Sequence, residues 1–437
     1  MASQATSAAF GPAPLDIEER TYRKVTMRII PFLFICYLAA YLDRVNVGFA
    51  KLQMLKELGF SETVYGLGAS IFFIGYVLFE VPSNIVMLRV GPKIWIARIM
   101  ITWGLISGAM IFVKTAWMFY VLRFLLGAAE AGFIPGILLY LTYWFPAARR
   151  GRITAIFLTA IPMATIIGGP LSGFILSAVS GAQGLSGWQW LFLIETIPSI
   201  VLGIVTLFYL KDRIVDVTWL DDEEKRLLRN NIAKEDQKKE GHSHLSQAFT
   251  EPKVWLLSGI YFCIVCGIYI ISFWLPSLIR AAGVSDTLTI GFLSAIPYIA
   301  AIVAMIAVNV SGDRLRERRW HTLLPAVVCG VGLLLAGFAG KNVVLAMLGL
   351  TLAAAGASSA QASFWCLPAA FLGGAAAAAG IALINSIGNI AGFVSNFFVG
   401  WMTDLTGSSQ SALYLFGAIV IVGGVFILTV PAKLVNK

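Results

Sequence analysis

Apolar residues run along this chain in long blocks separated by short polar intervals. Residues 29–42, 64–79, 99–113, 131–145, 153–179 and 196–210 are apolar over most of their length, and similar blocks follow after a longer polar interval. A helix needs roughly 20 such residues to cross a bilayer. The pattern predicts twelve membrane-spanning helices near 27–50, 64–88, 95–113, 117–144, 153–179, 188–210, 255–279, 288–310, 322–340, 342–366, 376–402 and 411–431. None of these blocks alternates with period two, as a strand of a membrane β-barrel would. The predicted fold class is an all-α integral membrane protein.

The polar stretch 211–254 is the one long interruption and divides the chain into 1–210 and 255–437, six predicted helices each. A repeated element supports that division. Asn84-x-x-x-Leu88-Arg89-x-Gly91-Pro92-Lys93 follows the second predicted helix, and Asn309-x-x-x-Asp313-Arg314-x-Arg316 follows the eighth. Each copy is followed by a tryptophan, Trp95 and Trp320, and matched positions are offset by 225 residues. Two pseudo-symmetric six-helix halves are the simplest cause. Small residues at Gly127, Gly168, Gly169, Gly173 and Gly388 to Gly392 fit close helix approach.

Composition agrees with a membrane solvent: 58% of the 437 residues are hydrophobic and 13% charged, against roughly 45–50% and about 25% in soluble domains. The net charge of +9 raises the question of nucleic acid, and the placement of the cations answers it. Of 32 Lys and Arg residues, 25 fall on the side of the termini, 5 on the other side and 2 within helices. By the positive-inside rule both termini are cytoplasmic, so the basic excess reflects topology and no nucleic-acid partner is expected. The apolar run Ile29 to Leu42 has signal-peptide length, but a 28-residue polar leader and the following Asp43-Arg44 identify it as a retained first helix. Cys36, Cys263, Cys266, Cys329 and Cys366 lie in apolar runs without acidic or histidine neighbours, so they read as packing, and no metal or other cofactor is expected. His242 and His244 in the central loop and His321 at a helix mouth read as solvated.

Six ionisable residues fall well within predicted helices, away from their ends: Asp43, Arg44, Glu80, Arg123, Glu130 and Glu195. An unpaired charge at mid-bilayer costs roughly 2.5–3.5 kcal/mol, so such residues pair, face a wet cavity or work. Arg123 and Glu130 lie two turns apart on the fourth helix and should share a face. Tyr37, Tyr41 and Arg44 form an i, i+4, i+7 face on the first, suited to an anion because a guanidinium grips a carboxylate with two parallel hydrogen bonds. Asp43 and Glu130 are the candidate proton-coupling groups, since a carboxylate between basic neighbours and an apolar wall exchanges its proton as access changes. A salt-bridge network that merely holds the first and fourth helices together is the structural alternative. Glu80 and Glu195 read as structural. The second set of helices offers neutral groups, Ser358, Ser359, Gln361 and Ser363 on the tenth helix and Asn385 and Asn389 on the eleventh, which could read substrate hydroxyls.

The two basic turns are similar to the G-x-x-x-D-R-x-G-R-K signature of the major facilitator superfamily, with Asn84 and Leu88 departing in the first copy and Asn309 and Arg316 in the second. Longer stretches resemble one branch, the anion:cation symporters related to sialin and the vesicular glutamate transporters: Tyr41-Leu-Asp43-Arg44-Val-Asn46-Val-Gly48, Gly75-Tyr76-x-x-Phe79-Glu80-Val-Pro82-Ser-Asn84, Arg123-Phe-Leu-Leu-Gly127-Ala-Ala-Glu130, Gly187-Trp188-Gln-Trp190 to Glu195, Trp274-Leu-Pro276 and Asn385-Ser-Ile-Gly-Asn389. The resemblance implies that Arg44 and Arg123 bind substrate, that Asp43 and Glu130 carry protons, and that Tyr76 and Asn389 contact a sugar acid. Tyr41 and Gln361 join the expected substrate wall. The glutamate-carrying relatives have an arginine in the seventh helix, and residues 255–279 here have none. The resemblance therefore implies a bacterial inner-membrane permease, expected to be monomeric, for tartrate, a sugar acid, phthalate or a related organic anion, driven by protons. An exchanger or exporter of the same fold, and a carboxylate sensor signalling through residues 211–253, are the other readings; no enzyme activity is expected.

Overall fold

The computed structural model describes residues 17–237, 251–369 and 374–436; His242 and His244 lie outside the described residues. Twelve helices are long and apolar enough to cross a membrane: α1 (Ile17–Leu58), α2 (Glu62–Val90), α3 (Pro92–Phe112), α4 (Ala116–Thr142), α5 (Arg149–Ala178), α6 (Gly187–Tyr209), α7 (Pro252–Ala281), α8 (Thr287–Leu315), α9 (Arg319–Phe338), α10 (Val343–Pro368), α11 (Gly380–Thr406) and α12 (Gln410–Thr429). The expected all-α membrane architecture is present, and most predicted spans extend by several residues at one or both ends. The largest difference is α1, which continues beyond Asn46 to Leu58. Lys51, expected in the outer loop, is therefore a buried residue within a span.

Local sequence explains where the helices begin. Helices starting at the end of the bundle opposite the termini are preceded by residues whose side-chain oxygens accept first-turn N–H groups. Ser61 takes Val64 N–H at 3.2 Å, Thr115 takes Met118 at 3.3 Å, Asp286 takes Thr289 at 2.7 Å and Asn342 takes Leu345 at 3.0 Å. Ser186 and Gln189 form a capping box at α6. Each cap satisfies donors that the apolar phase cannot hydrate.

On the side of the termini, part of the central loop folds back. The helix Asp222–Gln237 follows the sixth span. Its fully buried Glu224 accepts from Lys24 Nζ at 2.5 Å, and Asn231 Nδ2 donates to the Tyr22 hydroxyl at 3.2 Å. This helix is a brace on the start of α1.

The first six and last six spans meet along α2–α11 and α5–α8. Close approach there requires glycine: a Cβ on Gly291 would lie 2.4 Å from the Gly169 carbonyl oxygen, and one on Gly400 would lie 2.4 Å from that of Glu62. The hydrogen bonds joining the two sets run from mid-bundle to the end opposite the termini. Tyr65 donates to Phe273 O at 2.7 Å, Ser70 to Phe393 O at 2.7 Å, and Arg280 to Leu52 O at 2.5 Å. Lys51 Nζ pairs with Glu62 at 2.5 Å and sits 3.8 Å from the Trp274 ring centroid. The Asp404 carboxylate, on α11, accepts from the N–H groups of Glu62 at 3.0 Å and Thr63 at 2.7 Å, so a residue of the last six spans caps the first turn of α2. The bundle is shut at this end.

A charge-assisted hydrogen bond contributes about 1.5–3 kcal/mol, and the lower figure already corresponds to a tenfold shift in an equilibrium. Asp404→Ala should raise the population open at this end about tenfold. Spin labels replacing the exposed Lys56 and Lys341 would report it as a longer distance component, and an unchanged distance distribution would show that the cap does not hold the bundle shut.

Candidate functional site

Asp43 and Arg44 are adjacent on α1 and point to different surroundings. Arg44 reaches α4, where its Nε donates to Glu130 Oε1 at 3.0 Å and its Nη2 pairs with the same oxygen. Both residues are buried, at 7% and 3% exposure. The guanidinium carbon lies 5.4–5.8 Å from the ring centroids of Tyr41, Phe72 and Tyr76, so aromatic faces complete its shell.

Glu130 is placed by a break in α4. The helix Ala116–Glu130 ends there, Ala131 turns extended, and Gly132 adopts φ +88° before a second helix, Phe133–Thr142. A side chain on Gly132 would be strained by that φ and would meet Ser83 Oγ at 2.3 Å, so the break is specific to glycine. The end of Ala116–Glu130 presents carbonyls without helical partners and a partial negative charge. A carboxylate there calls for a cation, and Arg44 supplies it. Interrupted helices that line a cavity are a recurrent way of building a site in membrane carriers.

Arg123 shares the helix of Glu130 but does not pair with it. It is fully buried nearer the shut end, its Nε donating to Gly68 O at 3.3 Å and its guanidinium 5.0 Å from the Phe72 centroid and 6.0 Å from that of Phe273. Its Nη1 and Nη2 have no hydrogen-bond partner among the described residues. Arg123 and Glu130 lie two turns apart on the one uninterrupted helix Ala116–Glu130, but no salt bridge joins them among the described residues, so the helix carries two stations, Glu130 paired with Arg44 at the break and Arg123 among aromatic rings.

Asp43 turns away from both arginines into a polar pocket among α1, α3 and α6. It accepts from Trp103 Nε1 at 3.1 Å, from Ser107 Oγ at 3.2 Å and from Ser199 Oγ. No salt bridge forms to it among the described residues, so the basic neighbours expected from sequence are replaced by neutral donors. Glu195 lies close by, held by Ser172 at 2.7 Å.

On the other side Tyr269 donates to Asn389 Oδ1 at 3.0 Å, Gln361 Nε2 donates to the Tyr261 hydroxyl at 3.2 Å, and Tyr41 and Tyr298 lie 3.2 and 3.4 Å from Ser272 Oγ. Tyr41–Ser272 joins the two sets of spans at mid-bundle. The contribution of α7, through Tyr261, Tyr269 and Ser272, was missed in sequence. Their spacing, i, i+8, i+11, puts them on one helical face and was the available signal.

The Major Facilitator Superfamily pattern matches residues 33–396. The chain belongs to this superfamily. It is 50% identical over 97% of its length to the "Putative metabolite transport protein NicT" of Pseudomonas putida, of which it covers 98%. It is 46% identical over 94% of its length to a "Putative tartrate transporter" of Agrobacterium vitis, of which it covers 94%. The xylose transporter XylE of E. coli in a partially occluded inward-open conformation superposes with a TM-score of 0.72 at 13% identity, over 93% of this chain and 99% of that one. The protein is thus a multi-pass membrane transporter of small organic molecules and not an enzyme.

In this superfamily member Arg44 and Glu130 form a buried ion pair at the break in α4. Removing one partner of a buried pair costs about 3–5 kcal/mol because the other charge stays unpaired. Arg44→Ala should therefore lower the unfolding temperature in detergent more than the double variant Arg44→Ala/Glu130→Gln. A double variant no more stable than Arg44→Ala would show that Glu130 does not need its cation.

Proposed function

We propose that this protein takes up a small hydroxylated carboxylate, of the tartrate or sugar-acid kind, together with protons. It works by alternating access, as a monomer, in a bacterial inner membrane with both termini cytoplasmic. The observation that carries the reading is the contrast between two buried arginines: Arg44 is neutralised by Glu130, while Arg123 has two terminal nitrogens without an acceptor. An anion is the ligand such a pair of stations recognises, and a proton is the agent that frees the first.

Protonation of Glu130 removes the charge that holds Arg44, and the released guanidinium then needs another carboxylate. A substrate anion meets that need with two parallel hydrogen bonds. Its hydroxyl groups find Tyr41, Tyr76, Gln361, Tyr269 and Asn389, a set that is uncharged and able to donate or accept. Loss of the proton on the opposite side returns Glu130 to Arg44 and expels the anion. Asp43, next to Arg44 in the chain and shielded by three neutral donors, is the second proton site. The placement of 25 basic residues on the side of the termini supports a cytoplasmic location for that side, which makes the shut end periplasmic. The relatives named "Putative tartrate transporter" support a carboxylate cargo.

Uptake into proteoliposomes under an imposed inward proton gradient, across tartrate, galactonate, glucuronate, phthalate and hydroxyphenylacetate, tests the reading. One acid should accumulate saturably, and Arg44→Ala and Glu130→Gln should each reduce gradient-driven uptake by at least tenfold. No gradient-driven uptake of any acid, with both variants matching the parent, would remove the assignment. Two protons with a monoanion move one net charge, worth roughly 2.3 kcal/mol per 100 mV, so an interior-negative potential should raise accumulation of a monoanion; indifference to potential would require one proton for each negative charge on the cargo.

A further inference from the structure

The last six spans contain a groove whose lining includes none of the residues assigned to cargo or protons in the proposed uptake cycle. α8 and α9 both pack on α10 but barely touch one another. The gap between them is a groove of about 260 Å3 with an almost wholly apolar lining, including Ala304 and Val308 of α8, Leu324 and Val328 of α9, and Gly356 of α10. It opens outward: Leu324 is 55% exposed and Val328 38%. In a bilayer that face meets acyl chains.

Three further features give the groove a polar mouth. Trp320, half exposed, stands at its lip on the first turn of α9, where an indole prefers the boundary between hydrocarbon and head groups. The turn that joins α8 to α9 across the mouth carries Arg314, Arg316, Arg318 and Arg319 against Asp313 and Glu317. Arg318 is engaged by Asp313, whereas Arg314 and Arg316 are exposed, Arg316 in the left-handed region at φ +49°. Inside the lip, the Ser359 hydroxyl is 99% buried in the groove lining and has no hydrogen-bond partner among the described residues. Pro325, also in the lining, has no N–H to return to the carbonyl of His321 four residues earlier. A ligand in the groove thus meets apolar walls at depth, a free hydroxyl near the mouth and cations outside it.

We propose that this groove is a binding site for one anionic glycerophospholipid. An acyl chain lies between α8 and α9, an ester carbonyl accepts from Ser359, and the phosphate meets Arg314 and Arg316. The sequence of apolar, hydrogen-bonding and cationic surface follows the order of groups along such a lipid. The proposal is independent of the cargo and of proton coupling.

The test compares delipidated protein titrated with phosphatidylglycerol, with phosphatidylcholine of the same acyl chains and with free glycerol phosphate, reading retained lipid by native mass spectrometry and unfolding temperature in parallel. Phosphatidylglycerol should bind at least tenfold more tightly than phosphatidylcholine, and glycerol phosphate should not bind, since it lacks the chains. Because each cation near a membrane surface attracts an anionic head group, Arg314→Gln/Arg316→Gln should erase most of that tenfold preference. Ala304→Phe, which fills the groove and leaves the arginines in place, should remove one retained phosphatidylglycerol while the unfolding temperature in phosphatidylcholine stays unchanged. Equal affinity for the two lipids would overturn the proposal, as would a preference that survives either variant or glycerol phosphate binding as tightly as the lipid. If Ala304→Phe fails to fold, the arginine variant, which alters only exposed residues, decides alone.

Discussion

The interior of this bundle is organised by the cost of keeping charge out of water. Four buried groups meet that cost in three ways. Glu130 and Arg44 neutralise one another; Asp43 is surrounded by neutral donors from Trp103, Ser107 and Ser199; Arg123 gives one hydrogen bond to a carbonyl and faces aromatic rings. The solutions differ in how readily they can be exchanged. A carboxylate solvated by neutral donors tolerates gain of a proton without leaving a cation stranded, whereas protonating Glu130 strands Arg44. The same chemical step therefore breaks an ion pair at Glu130 and none at Asp43.

Backbone geometry follows from that constraint. An uninterrupted α4 would carry Glu130 as one more surface residue of a helix whose carbonyls are all engaged. The break at Ala131 and Gly132 brings free carbonyls to the same spot and makes it electronegative, which fixes where the Arg44 guanidinium lies. Arg44 in turn sits within reach of Tyr41, Phe72 and Tyr76, so α1, α2 and α4 converge on one cation. Gly132 seats against Ser83, whose hydroxyl also accepts from Trp95 Nε1 at 2.9 Å, tying the break to the start of α3. A site residue, a helix break and the turn bearing the repeated basic motif are thus one connected unit.

Much of this was legible in the sequence. Twelve spans could be read because apolar length is set by the bilayer and leaves a signal that no tertiary contact overrides. The buried charges could be named because each is expensive wherever it points. Direction was not legible: adjacent residues on a helix diverge by about 100°, so Asp43 and Arg44 face different neighbours, and which face meets α4 is decided by packing that sequence does not record. The break in α4 was hidden within an apolar run, where Gly132 and, three residues later, Pro135 marked it, but both residues are common in membrane helices and glycine there more often signals close packing. Lys51 was misplaced because a lysine at a predicted helix end normally reaches water; here Glu62 and the rings of Tyr65 and Trp274 take the place of water.

The closure opposite the termini is built differently from the site, and the difference has a consequence. Its hydrogen bonds go largely to main-chain atoms, from Tyr65, Ser70 and Arg280 to carbonyls and from two amides to Asp404. Several of these groups lie near solvent, so when the helices part water replaces each bond at a net cost of about 0.5–1.5 kcal/mol for the neutral donors Tyr65 and Ser70 and about 1.5–3 kcal/mol for the bonds of Asp404 and Arg280. At the site the exchange is between buried charges, and separating Arg44 from Glu130 without a substitute costs about 3–5 kcal/mol. The closure is thus a set of small terms that can be given up one at a time, while the site holds a single large term that must be exchanged whole. In a bundle that rocks about its centre both terms weigh on which end opens: losing one closure bond shifts the balance by a small step, and losing the Arg44–Glu130 contact shifts it by a larger one.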